Sequence, residues 1–293
     1  MAAAAPGRSA RLAALRAAEA VLLARRTRPA DMAASVAEAL RLAHGAPVPA
    51  DLVAAGQRIA AAVAAHGASF APGAEPAYHD RHHQAEATLC AGWLARAARE
   101  AGQLSARRAA LCVIAMAGHD LLHDGSVDGP SGLLEARSAA ATLALAHDLP
   151  AAEREEIRAL ILVTDAAQPA PVATAPVLMR EADLFGSLTP CLGWRLSRAL
   201  AREWQAANHA EASKIACFAG RLELLRRLPG FSAAAVAQGL AEARAVQIEA
   251  LARAGDAPTP EASAALLDAM SAEAAQARYC AALTALGLPV LPA

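Results

Sequence analysis

Ala109-Ala110-Leu111-Cys112-Val113-Ile114-Ala115-Met116-Ala117-Gly118-His119-Asp120-Leu121-Leu122-His123-Asp124 is the stretch on which the reading of this chain turns. The apolar run from Ala109 to Gly118 is far shorter than the roughly 18–20 residues that a membrane-spanning helix needs, so it predicts a buried core helix. It ends in a histidine and an aspartate. Such groups are costly in a buried setting and persist there when they are paired or hold a metal.

Working outward, the composition agrees with a helical core. Of 293 residues, 56% are hydrophobic but only 3% are aromatic, so alanine and leucine dominate the apolar fraction. Alanine, leucine, arginine and glutamate favour helices. The β-branched and aromatic residues that fill strands are scarce, which excludes an all-β fold. With 27 basic and 28 acidic residues, the net charge of −1 excludes a protein that holds nucleic acid by charge alone. No apolar run calls for a membrane. Cys90, Cys112, Cys191, Cys217 and Cys280 are scattered, odd in number and never spaced C-x-x-C. They predict buried thiols in a reducing, cytoplasmic setting. Lys214 is the sole lysine, so the other basic residues are arginine; we read this as coding bias and give it no functional weight.

Arg8, Arg11, Arg16, Arg25, Arg26 and Arg28 face only Glu19 in the first thirty residues, and the apolar stretch Ala20–Ala24 is too short for a signal peptide. A poorly anchored amphipathic helix is expected there. Helical periodicity then continues between breakers at Gly45-Ala46-Pro47, Pro72 to Pro76, Asp124 to Gly132, Pro150, Gln168 to Pro176, Pro229-Gly230 and Gly255 to Pro260. These spacings predict one all-α, multi-helix bundle over 51–250, with an N-terminal helical extension over 1–50 and a C-terminal helical segment over 251–293. Asp51 is placed to cap one helix, and Ser131 with Glu135 to form a looser capping arrangement at another.

Two histidine groups carry the chemistry. The first is Tyr78-His79-Asp80-Arg81-His82-His83-Gln84-Ala85-Glu86, where a helix would put His79, His83 and Glu86 on one face. The second is His119-Asp120-Leu121-Leu122-His123-Asp124, where His119 and His123 would share a face. Asp183, within Met179-Arg180-Glu181-Ala182-Asp183-Leu184-Phe185, adds a carboxylate in a mostly apolar stretch. Imidazole and carboxylate together suit Zn, Fe, Mn and, with waters, Mg. His82 is expected to point away from His83. His44, His66, His147 and His209 read as surface or satisfied core residues, and Trp194 and Trp204 as core anchors. No P-loop, G-x-G-x-x-G or G-x-S-x-G pattern is present.

The order His83, His119-Asp120, Asp183 resembles the HD superfamily of metal-dependent phosphohydrolases. Tyr78 to Glu86 is similar to the Y-H-N-x-x-H-A-x-D segment of class I cyclic nucleotide phosphodiesterases, and His119 to His123 to their H-D-x-x-H. Glu135, Asp165 and Asp183 follow in the family's order, and the resemblance covers roughly residues 70 to 230. It implies an HD/PDEase-like bundle holding two divalent metal ions (Zn, Mn, Mg or Fe). His83, His119, Asp120 and Asp183 would be ligands, with Asp120 bridging. It further implies His79 as general acid, with His123, Glu86, Glu135 and Asp165 orienting water or ligands, and Tyr78 and Phe218 meeting substrate. The implied reaction is attack of metal-bound hydroxide on a small-molecule phosphate ester: a phosphodiester, cyclic nucleotides included, or a nucleotide monoester.

The sequence departs from the family at Asp80, Gln84 and Glu86. Where the family has a purine-reading glutamine three residues before its stacking phenylalanine, Ile215 stands before Phe218, which weakens the case for a cyclic purine nucleotide. Two other readings remain open: a non-catalytic, metal-stabilised helical binding or regulatory module, and an HD-type di-iron oxygenase, for which His147 is the one suggestive extra histidine. The composition also leaves room for a homodimer.

Overall fold

A computed structural model describes residues 7–127, 130–228 and 230–288. The ends of the expected N-terminal extension and C-terminal segment, and the breakers at Asp128, Gly129 and Pro229, lie outside the described residues. Among the described residues the chain is helical throughout, without a strand. The helices are α1 (Arg8–Arg25), α2 (Met32–His44), α3 (Ala50–Ser69), α4 (Arg81–Glu100), α5 (Ala106–Gly118), α6 (Leu133–Leu145), α7 (Ala151–Leu162) and α8 (Thr174–Leu188). They continue as α9 (Pro190–Ala206), α10 (Ala212–Ile215), α11 (Phe218–Arg227), α12 (Ala233–Ala237), α13 (Leu240–Gly255), α14 (Pro260–Asp268) and α15 (Ala272–Ala285). None is long and apolar enough to cross a membrane.

Two compact units divide the chain. The central unit is Ala24–Phe185 with Ser232–Ala234; the terminal unit is Met1–Leu23, Gly186–Phe231 and Ala235–Ala293. Neither boundary falls where the breakers suggested, at 50 and 250. The reason at the first is close packing of small residues. A Cβ on Gly92 of α4 would lie 2.7 Å from the Cα of Ala39 in α2, so α2 is pressed into the core of the central unit. At the second, helices far apart in sequence share one core.

The helix read first is the hub of the central unit. Every residue from Ala109 to Gly118 is buried, as expected of a helix that is apolar on all sides. Helices α2, α3, α4, α6 and α7 pack around it. Ser105 caps its start by accepting from the Arg108 amide at 3.2 Å. Leu111, Val113, Ile114 and Met116 are almost wholly removed from water. Each contributes about 1.5–3 kcal/mol by that removal, enough to fix where the chain after Gly118 begins.

Two expected caps are replaced. The N-cap of α3 is Pro49, without a side-chain bond, and Asp51 instead pairs with Arg107 at 2.6 Å. The N-cap of α6 is the left-handed Gly132, while Ser131 donates to Asp165 at 2.7 Å.

In the terminal unit, α1 is anchored more firmly than expected. Leu15 and Leu22 are fully buried, Arg11 pairs with Glu242, and Glu19 accepts from the amides of Cys191 and Leu192 at 2.7 and 2.9 Å. That carboxylate receives two first-turn N–H groups of α9. Arg221 is buried among the carbonyls of Ser187 and Thr189 and the side chain of Gln247.

Candidate metal centre

Four side chains of the central unit converge. His83 lies in the first turn of α4, whose start is fixed by Asp80 accepting from the His83 amide at 2.7 Å. His119 and Asp120 follow the last turn of α5. Helix α6 holds this turn from one face: Thr142 donates to the Gly118 carbonyl at 3.1 Å, and Ser138 accepts from the Leu122 amide at 3.2 Å. A Cβ on Gly118 would meet Thr142 Oγ1 at 2.1 Å, so only glycine permits this approach. Asp183 comes from α8. One turn earlier, Arg180 donates to the carbonyls of Val163, Asp165 and Gln168 at 2.7–2.9 Å, tying α8 to the end of α7.

His83 Nε2 is 3.1 Å from Asp183 Oδ1 and 3.4 Å from Asp120 Oδ2. His119 Nε2 is 3.1 Å from Asp120 Oδ2 and 3.4 Å from Asp183 Oδ1. Both ring nitrogens are buried, and neither makes a hydrogen bond despite these short separations. Donor atoms about 2.1 Å from a shared cation stand roughly 3.0–3.4 Å apart at angles of 90–109°. The spacing therefore suits ligands around one ion, and His83, His119 and Asp183 together meet the separations that a metal site requires.

His119 Nδ1 lies 2.8 Å from the Met116 carbonyl. A carbonyl only accepts, so Nδ1 carries the hydrogen, and in the neutral ring, the form that ligates a metal, the Nε2 lone pair faces the cluster. The side chains of His83 and His119 are 3% and 1% exposed, whereas that of Asp183 is 21% exposed, so the cluster opens on the Asp183 side. Electrostatics agree. Burial opposes charge on His83, but Asp120 and Asp183 outweigh it and hold its pKa up at about 9. Burial likewise opposes charge on both aspartates, yet the facing imidazoles hold them well below the usual carboxylate range. The two carboxylates form a strongly cation-seeking pocket.

The other expected residues fall around or away from this cluster. His79 precedes α4, so it shares no helical face with His83, although the rings sit edge to face with centroids 5.7 Å apart. The helix begins only at Arg81 because Asp80 caps it. His119 and His123 also share no helical face, because α5 ends at Gly118. His123 turns to stack on His79 at 3.7 Å, and its Nδ1 accepts from the Gly125 amide at 3.1 Å. Buried Tyr78 packs its ring against both His79 and His83, each at 4.7 Å. Glu135 is half-buried in the first turn of α6; burial raises its pKa, with Asp165 and Asp120 adding to the rise.

Glu86 does not serve an imidazole. Its buried carboxylate takes two hydrogen bonds from Arg26, at 2.7 and 2.8 Å. Asp165 is a loop fastener, accepting from Ser131, the Ala167 amide and Gln168. His82 points to the Arg28 carbonyl at 2.9 Å. Phe218 belongs to the terminal unit, where it is 4% exposed, stacked on Trp194 at 4.5 Å and set against Tyr279. Its ring is a core element of that unit. Nothing local in the sequence sets Arg26 and Arg180 apart from the other arginines, which composition alone accounts for.

Neither a scan against protein-family models nor a search of curated proteins finds a match to this chain.

Proposed function

We propose that the chain is a metal-dependent phosphohydrolase of the HD type, patterned on the cyclic nucleotide phosphodiesterase catalytic domain and acting on a small phosphate ester. The observation that carries this reading is the convergence of two unbonded imidazole nitrogens, on His83 and His119, with the carboxylates of Asp120 and Asp183. Their mixed nitrogen and oxygen donors suit Zn, Mn or Fe, and these four residues would hold the ion. When bound, a divalent cation acidifies water and neutralises phosphoryl charge.

The remaining steps belong to the chain. On this reading the ester approaches from the Asp183 side, the more exposed one, and burial of His83 and His119 keeps bulk water from the other. His79 stands beside the ligand helix with one ring face covered by His123 and an edge against Tyr78, which limits its rotation. A ring so held can deliver a proton to the leaving oxygen, the role of general acid. His123 accepts from Gly125 at Nδ1, so in its neutral form it keeps its hydrogen on Nε2.

The test is hydrolysis of bis-p-nitrophenyl phosphate, p-nitrophenyl phosphate and cyclic nucleotides with added Mn, Mg or Zn, comparing wild type with His79→Ala. The reading expects metal-dependent turnover that falls about 100-fold or more in the variant while metal content is retained. A wild type that binds metal but hydrolyses none of these, or turnover unaffected by His79→Ala, would overturn it. The first result would favour a binding module, and iron with no hydrolysis an oxygenase.

A further inference from the structure

The turn after α1 grips the start of the ligand-bearing helix. Arg25 fastens the turn to α2, donating to Ser35 at 2.8 Å and Glu38 at 2.6 Å. The next residue, Arg26, reaches α4. Its Nε and one terminal nitrogen each donate to a different oxygen of Glu86, and its other terminal nitrogen lies 3.7 Å from Asp80 Oδ2. The Arg28 carbonyl faces His82 Nε2 at 2.9 Å.

The two carboxylates that Arg26 addresses flank His83, three residues before it and three after. Asp80 is the cap whose other oxygen takes the His83 amide. Glu86 lies one turn along the helix and is 3% exposed, so its charge depends on a partner. Burial pushes its carboxyl upward, and Arg26 is the cation that opposes this. A planar guanidinium making two parallel bonds fixes direction as well as charge, which an ammonium on a flexible stem does not.

We propose that Arg26 is a positioning residue of the metal centre, clamping Glu86 and Asp80 so that the first turn of α4 aims His83 at the site; this rests on reading the cluster as a metal site. The turn at Arg26 to Arg28 is thereby part of the site's scaffold. Arg107 supplies a matched control. It also bonds two carboxylates, Asp51 and Glu153, but from the first turn of α5, the opposite end of that helix from His119.

The experiment is titration of the full chain with Co(II), reading both the dissociation constant and the visible ligand-field spectrum. Arg26→Met is expected to weaken Co(II) binding roughly 10–100-fold and to alter the band intensities, as loss of an outer support does. Arg26→Lys is expected to recover only part of the affinity. Arg107→Met should leave affinity and spectrum as in wild type. The double variant Arg26→Met/Glu86→Gln strands no buried charge and is expected to fold while still binding weakly. Wild-type affinity and spectrum in that double variant would overturn the proposal, as would equal losses in the Arg26→Met and Arg107→Met variants. A wild type that takes up no Co(II) would overturn the metal-site reading itself, and the proposal with it.

Discussion

Replacing Gly118 with alanine probes the contact that aims the histidine–aspartate turn. The new Cβ would lie 2.1 Å from Thr142 Oγ1, 2.7 Å from its Cγ2 and 3.0 Å from its Cβ. Thr142 is fully buried and branched at Cβ, so it has no flexible end to swing aside. Overpacking of this kind costs about 1–3 kcal/mol. Displacing Thr142 also breaks its bond to the Gly118 carbonyl, at about 1–3 kcal/mol for buried groups. Against these stands the helix preference of alanine over glycine, about 1 kcal/mol. The costs win, and a net loss of about 1–5 kcal/mol is expected in urea unfolding. Thr142→Ala alone should cost about 1–3 kcal/mol through the lost hydrogen bond. In the double variant the added methyl enters space left by the threonine, so it should be about 1–3 kcal/mol more stable than the sum of the singles. A Gly118→Ala protein within about 0.5 kcal/mol of wild type, or strict additivity with Thr142→Ala, would refute the steric account.

Further outcomes follow from the same packing. The Arg107 hydrogen bond lowers the Asp51 pKa, so its contribution is present above the unfolded value near 4 and is lost as pH falls through the lower folded value. Because the Asp51 side chain is 34% exposed, solvent screens the pair, and Arg107→Gln should cost about 1 kcal/mol or less at pH 7. Urea unfolding at several pH values should show that difference shrink in acid; a difference that grows below pH 4 would count against the pair. Phe218→Ala should destabilise the protein by about 3–5 kcal/mol, since it removes a buried ring stacked on Trp194. A neutral effect on unfolding would place the ring outside the core.

What was legible in the sequence follows from how local each signal is. An unbroken apolar run ending in His119-Asp120 announces a central helix with a polar end, and that is the place α5 takes. Helical class follows from propensity summed over many residues, which is robust. The apolar surroundings marked His119, Asp120 and Asp183 as costly groups in need of partners, but their meeting with His83 was only implied by the resemblance to the HD superfamily. The position of His79 was not legible, because a single cap, Asp80, shifts the helix start past it. The partner of Glu86 was also hidden, since Arg26 is sixty residues away and sits in a segment discounted for its composition. The grouping of chain-distant segments into one unit was hidden for a related reason. Glu19 caps α9 across 172 residues of sequence, and nothing local to either segment marks that bond.

The central claim is that the four converging side chains hold a divalent transition metal. Elemental analysis of purified wild type beside Asp120→Ala and Asp183→Ala, each checked for helicity, tests it most directly. The account predicts stoichiometric metal in wild type and its loss from both variants while they remain folded. Metal-free wild type after reconstitution with Zn, Mn or Fe, or folded variants that retain the full complement, would contradict it.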